Sequence, residues 1–532
     1  MPTIKTPKKV VKKVATKKTP VKKAPRRKPS RSVVHDLMEA MEAVATANED
    51  QDRRVREKLT RAEKRENEKN RKLRFESGNY IVDDITDVFN CGDKIIVNYM
   101  GESVGGELVS ININYGFFGP TIQISYRCIS IGERGTIELA VNSQTFRGWE
   151  GTRTMNELPF RKLEAGAELD KLVARGRVFR EVTSKASYMN YQGEIFRPSW
   201  IGWFPMSGNG RVMVDGLGMR NDEPNILDAL SMRSWEHRHN NDDTQQSELV
   251  IPDDQLYMTS PFIPVFSFRH KRWAIGKVDF VSPVVFNTGV FDQLVLDEDR
   301  KFIIKSLVEH NGSGFSDIVG GKSGGFIFLL HGAPGVGKTL TAEATSETLQ
   351  RPLYVVSVGE LGTNPQQLET KLGQILELAG RWNAVLLLDE ADIFLEQRTD
   401  HDLERNAMVG IFLRLLEYFN GVMFLTTNRV KNFDRAFHSR ISLAIHYGEM
   451  TDEIRRSIRK NLLSAAKIDY STFDLDVLSK IEINGRQIKN SIRLAQTIAH
   501  AEGTKVTQHH LLKMSKYGQE FVNALGEAEN YA

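Results

Sequence analysis

At 532 residues, 40% hydrophobic and 26% charged, the chain exceeds what one hydrophobic core comfortably serves, so two or three globular domains are expected. No apolar run reaches the roughly 18 residues of a spanning helix and the N-terminus is polar and lysine-rich, which argues against a membrane span and a secretory signal. The two cysteines, Cys91 and Cys128, form no metal spacing and no disulfide framework, as expected of an intracellular protein, cytoplasmic or, in a eukaryote, nuclear.

The net charge of +4 hides an asymmetry. Residues 1–31 hold thirteen Lys or Arg and no acid, so the rest of the chain is net acidic. A segment of this composition cannot bury apolar surface, and residues 1–34 are expected to be a disordered basic tail. It reads equally as an arm for nucleic acid or another acidic partner, as a nuclear import signal, or as a solubilising extension. Residues 35–76 follow as a charged helix. Val34, Leu37, Met38, Met41 and Val44 recur at helical spacing, while 49–76 is dominated by charge and reads as solvated helix rather than sustained coiled coil.

From about residue 77 the pattern shifts to period two. Val109, Ile111, Ile113 and Tyr115 alternate with polar residues, as do Ile122, Ile124, Tyr126 and Cys128, and 116–120 joins the two runs as a turn. This predicts an antiparallel hairpin with one buried face. Further strands are expected at 136–141, 186–191 and 211–215, a helix at 165–175 and a loop at 239–255. No catalytic constellation occurs here; Trp149, Trp200, Trp203 and Trp235 read as core or interface. Residues 77–279 are therefore expected to form a β-rich α+β domain that binds a substrate or adaptor, or acts as a spacer.

Between 280 and 450 buried strands alternate with helices, at 326–330, 353–358, 385–388, 422–425 and 443–447, which predicts an α/β domain with a parallel sheet flanked by helices. The first strand runs into Gly332, Ala333, Pro334, Gly335, Val336, Gly337, Lys338 and Thr339, fitting G-x-x-x-x-G-K-[ST] at every fixed position. Glycines let backbone N–H groups close around phosphate oxygens, Lys338 reaches the β/γ-phosphates and Thr339 offers a hydroxyl to Mg²⁺. The helix opening at Lys338, Thr339 and Leu340 points its positive end at the anion. The strand at 385–388 ends in Asp389 and Glu390. Asp389 is placed to hold Mg²⁺ and Glu390 to deprotonate the attacking water, which points to hydrolysis of ATP rather than nucleotide storage. Asn428, after the next strand, is placed to polarise that water. Arg440 is the candidate finger to a neighbouring subunit's γ-phosphate, with Arg435 its competitor. From 451 to 532 only helical patterning remains.

Residues 334–339, 388–392, 426–428 and 439–440 resemble the Walker A, Walker B, sensor 1 and arginine-finger motifs of the AAA family within the AAA+ ATPases. Phrases at 381–392, 402–406 and 484–490 are similar to a branch common in fungi that carries an uncharacterised domain ahead of its ATPase module. The resemblance implies a P-loop fold with 280–450 as large subdomain and 451–532 as helical lid, ATP and Mg²⁺ as cofactors, and a homo-oligomeric ring, expected to be a hexamer. It also places a sensor 2 arginine at Arg486, with Lys489 as competitor. One departure stands out: the first pore loop of threading relatives carries an aromatic, whereas 359–365 has none, leaving Leu361 as a weaker apolar substitute. The leading expectation is a ring-forming ATPase that remodels an unidentified protein client. The alternatives are a nucleic-acid motor or loader using the basic tail, and a nucleotide-gated scaffold, against which the intact acid pair argues.

Overall fold

The computed structural model describes residues 61–199, 202–230, 249–309, 325–396, 402–428 and 434–529. The basic tail, the apolar spacing at 34–44, Trp200, Trp235 and residues 239–248 lie outside them. The chain divides into two units. The described part of the smaller contains the helix Arg61–Glu76 and a two-stranded antiparallel ladder, Asn79–Tyr80 against Arg153–Thr154. Over residues 65–76 the helix is mostly exposed, with Leu73 54% exposed, as its charge pattern predicts.

The larger unit spans the rest and holds three sheets. The first is antiparallel and orders its strands Ile137–Arg147, Gly119–Ile131, Glu102–Gly116, Lys94–Tyr99 and Phe160–Lys162. The predicted hairpin is its centre. Its inward face carries Ile122, Ile124, Tyr126 and Cys128, all fully buried. The other strand departs from the predicted alternation, because a bulge lets Leu108 pair with Tyr126 and Ser110 with Ser125. Val109 is the extra residue and is only partly buried, while Leu108 faces the core. Period-two patterning cannot register such an insertion, which reverses the inward phase on one side of it.

The second sheet is also antiparallel, with seven strands from Gly202–Ser207 at one edge to Val281–Pro283 at the other. Its strand Phe262–Ser267 is buried at every position. This face packs directly on the edge strand of the third sheet and the end of the helix beside it: Phe266 lies 5.0 Å from Trp382 and 5.5 Å from Tyr354, and Trp273 lies 5.9 Å from Trp382, centroid to centroid. Asp215, 4% exposed, ends the strand Gly210–Val214 and fastens the contact. It accepts from Arg381 Nε at 2.6 Å, Trp382 Nε1 at 2.9 Å and the Gly218 amide at 2.9 Å. A carboxylate buried this deeply is tolerated because its lone pairs are taken.

The third sheet is parallel, with strands β1 (Phe326–Gly332), β2 (Leu353–Ser357), β3 (Val385–Asp389), β4 (Val422–Thr427) and β5 (Leu443–Tyr447) in the order β2-β3-β4-β1-β5. Helices α1 (Lys338–Leu349), α2 (Pro365–Arg381) and α3 (Leu403–Tyr418) cover it. The chain reverses neighbours between β1 and β3, so the C-terminal ends of β1, β3 and β4 open a crevice. Beyond it come only helices, chiefly α4 (Asp452–Ala465), α5 (Gly485–Ala501) and α6 (Gln508–Glu529). Asn484 caps α5 reciprocally with Gln487, the sequence signature of a helix start.

The segment after β2 corrects one expectation. Leu361, expected as the apolar substitute on the first pore loop, is fully buried and packs in the core shared with the front sheet. Its neighbour Glu360 pairs with Lys271 of the front domain and accepts from Lys371 through its carbonyl. Leucine here is recruited by the core, which leaves this loop no exposed apolar side chain at that position.

Candidate nucleotide site

The loop from Gly332 to Lys338 turns at glycines that the geometry requires. Gly337 has φ +106°, a left-handed conformation, and forms the N-cap of α1 without any side-chain cap, so the first amides of α1 are left for an anion. Gly335 has φ +79°, and a Cβ there would sit 2.7 Å from Cγ of Asn484, the N-cap of α5. Lys338 is 7% exposed and its ammonium donates to the Gly332 and Ala333 carbonyls and to Asn428 Oδ1, each at 2.8 Å. Burial lowers its pKa from the ordinary lysine value, opposed by the carboxylates of Asp389 and Asp392. A cation held this way gains from an arriving polyphosphate.

Across the crevice, Thr339 Oγ1 donates to Asp389 Oδ1 at 3.4 Å and Thr426 donates to the same oxygen. A hydroxyl and a carboxylate facing each other are hard oxygen donors that suit Mg²⁺, which keeps most of its shell as water and phosphate oxygen. No group of three or more His, Cys, Asp or Glu placed to hold a metal occurs among the described residues. Glu390 adopts φ +58°, uncommon for a residue with a Cβ, and its amide donates to Thr426 Oγ1 at 3.0 Å. Such a backbone costs about 1–3 kcal/mol and is held by its surroundings. The turn takes Glu390 out of the β3 pleat and into the cavity wall beside Asp389. Asp392 accepts from Thr427 and from the Asn428 amide, which holds the end of β4 against this turn.

The resulting cavity has a volume of about 510 Å³. Of the residues singled out from sequence, Pro334 through Leu340, Asp389, Glu390, Asn428 and Arg486 all line it. Gly332 and Ala333 stand behind and supply carbonyls to Lys338. Both Arg486 and its competitor Lys489 reach the wall, one helical turn apart on α5. Arg440 does not. Its guanidinium donates to the Leu413 and Ala436 carbonyls and pairs with Glu417, outside the cavity.

Sequence reasoning missed the apolar half. Val290, Leu294 and Leu296 form one side and Ile458, Leu462 and Ala465 of α4 the other, a slot suited to a flat base. The spacing 458, 462, 465 on an amphipathic helix was a signal, indistinguishable from core packing without the fold. Hydrogen bonds tie the C-terminal helices to this wall: the Gly485 amide donates to the Gly335 carbonyl at 3.0 Å, and Asn461 donates to the Gln293 carbonyl at 2.6 Å. Glu343 of α1 also lines the cavity, with its pKa raised by burial, and no motif announces it.

Residues 328–449, which carry β1 to β5 and the acid pair, match the ATPase family associated with various cellular activities, AAA. The chain carries an AAA-family ATPase domain. Relatives agree with that: a protein of Methanothermobacter marburgensis named as a 26S proteasome regulatory subunit homolog is 27% identical over 197 residues, 34% of this chain and 52% of that protein. The human outer mitochondrial transmembrane helix translocase is 26% identical over 184 residues, 33% of this chain and 51% of its own. Lon protease of Malacoplasma penetrans is 30% identical over 206 residues, 32% of this chain and 26% of its own. The chain spans about half the length of the first of these relatives, and residues 77–279 lie outside the matched family region. Among the described residues no helix is long and apolar enough to cross a membrane.

Proposed function

We propose that this chain binds ATP with Mg²⁺ and hydrolyses it, as a hexameric ring of its own copies, to remodel a protein client inside the cell. The observation that carries the reading is the Asp389–Glu390 pair at the end of β3, facing Lys338 and Thr339 across one cavity. Lys338 and the open amides of α1 would hold the β- and γ-phosphates, and Thr339 with Asp389 would hold the metal. Held by Thr339 and Asp389, Mg²⁺ would supply positive charge to offset that of the phosphates. Glu390 takes the proton from the attacking water, which Asn428 orients; Arg486 follows the γ-phosphate from the lid. Arg440 lies outside its own cavity, and acting on a neighbour's γ-phosphate as a finger in trans would exchange its contacts with Leu413, Ala436 and Glu417 for that phosphate.

Support for a protein client comes from the relatives, since a protease, a transmembrane helix translocase and a proteasome subunit homolog all concern polypeptides. The narrower kinship with the fungal branch rests on the phrases at 381–392, 402–406 and 484–490 and, less specifically, on those at 210–215 and 261–268. Replacing Glu390 with Gln tests the core of the reading: nucleotide should still bind while turnover falls by about 10²-fold or more, and ATP-bound oligomers accumulate. Undiminished steady-state hydrolysis by that variant would refute the assignment of the base.

A further inference from the structure

The hairpin of the first front sheet ends in a feature that its own folding does not need. Gly116 pairs with Gly119, so Phe117 and Phe118 are the two tip residues, and Gly119, at φ +99°, takes the left-handed position of the turn. Neither phenylalanine has a positive φ, and any polar residue could occupy these positions. Yet Phe117 is 99% exposed and Phe118 87%, the two most exposed large aromatics among the described residues. Their rings meet only edge to face, 5.4 Å apart.

The tip is held rigidly. A third strand supports it as far as Thr121, which pairs with Arg147, and the Gly148 amide donates to the Pro120 carbonyl at 2.8 Å. A Cβ at Gly148 would lie 2.7 Å from Pro120 Cγ, so the support is close-packed. On the other side Tyr115 donates to Asp83. Two aromatic rings on a stiff ribbon have little conformational freedom to lose on contact, which favours an apolar partner. The flanking side chains, Asn112, Asn114, Thr121, Arg147 and Asp83, form no cationic collar of the kind an anionic lipid surface would attract.

We propose that the Phe117–Phe118 tip is the contact through which this chain engages apolar segments of a non-native client polypeptide. The inference rests on the remodelling reading above and supplies the apolar grip that the loop at 358–362 lacks, where Leu361 is buried in the core. Aromatic faces and edges contact any apolar side chain without demanding a sequence, as a client-tolerant contact requires.

The test uses the full chain and its Phe117→Ala/Phe118→Ala double variant, with fluorescently labelled, reduced and carboxymethylated α-lactalbumin as an unfolded probe. Wild type should bind the probe saturably, and the double variant should bind at least tenfold more weakly. The probe should raise wild-type ATP turnover but not the variant's, with basal turnover and thermal midpoint unchanged because the tip touches neither core nor nucleotide cavity. Phe302→Ala, which removes another phenylalanine that is 72% exposed, should bind like wild type. The proposal is overturned if wild type does not bind the probe, if the double variant binds as wild type does, or if Phe302→Ala loses as much. A change of oligomeric mass in the double variant would overturn it in favour of a second copy of this chain as occupant. Tip-dependent binding to phosphatidylcholine/phosphatidylserine vesicles without probe binding would overturn it in favour of a membrane. Tip-dependent probe binding by a protein that hydrolyses no ATP would leave the contact standing and sink the ATPase reading instead.

Discussion

Two aspartates with opposite surroundings distinguish the seven-stranded antiparallel sheet from the AAA-family ATPase domain. Asp215 is 4% exposed and its oxygens accept from Arg381, Trp382 and the Gly218 amide. Asp389 is half-buried, accepts from Thr426 and faces Thr339 at the longer distance of 3.4 Å, on the wall of an open cavity. The first is closed upon its partners and ties the seven-stranded sheet to the end of α2; the second keeps coordination in reserve. Burial alone therefore does not mark a functional acid. What marks it is polar capacity directed into space large enough for a ligand.

The contrast breaks most sharply at Arg440, the proposed finger in trans. Arg440→Ala should lower turnover by about 10³-fold. Alone it and Glu390→Gln should each be nearly inactive, yet mixed they should regain turnover at interfaces pairing an intact base with an intact arginine. Steady-state assays on demonstrated co-assemblies check this; no recovery would assign Arg440 to its contacts with Leu413, Ala436 and Glu417 alone.

Asp215→Ala probes the closed aspartate. Removing one member of a buried, hydrogen-bonded pair should cost about 3 kcal/mol, seen as a lower denaturation midpoint, while nucleotide affinity of the folded fraction stays near wild type. Loss of nucleotide binding before loss of fold would show that the front domain's anchor also shapes the cavity. Asp215→Asn, which keeps an acceptor for Trp382, should cost less.

Deleting residues 1–31 removes thirteen cationic side chains. Any affinity for DNA or RNA should weaken and its log–log salt slope flatten, with basal ATPase activity unchanged. An unchanged slope would move the nucleic-acid surface into the folded body and revive the motor-or-loader alternative. The smallest effect concerns the cysteines. Burial, reinforced by Glu138, pushes the Cys128 thiol up to about 12, whereas Cys91 is exposed. Because the raised pKa keeps Cys128 protonated at any ordinary pH, one thiol should alkylate in the native protein and two after denaturation, counted by mass spectrometry.

The phosphate loop, the acid pair, the five strands of the parallel sheet and the helical stretch after 451 were legible in the sequence. A phosphate is wrapped by consecutive backbone amides, and a strand buried on both faces is a continuous apolar run, so both leave contiguous signatures. Tertiary structure alone decided the rest. Asp215 meets Arg381 from 166 positions away, the base slot joins residues 290–296 to 458–465, and Leu361 is drawn into a core that the front sheet completes. A bulge of one residue reversed the inward phase before Leu108, and the chain's path set Arg440 outside its own cavity. None of these has a local periodicity, because each depends on which surfaces the folded chain brings together rather than on how neighbouring residues bond.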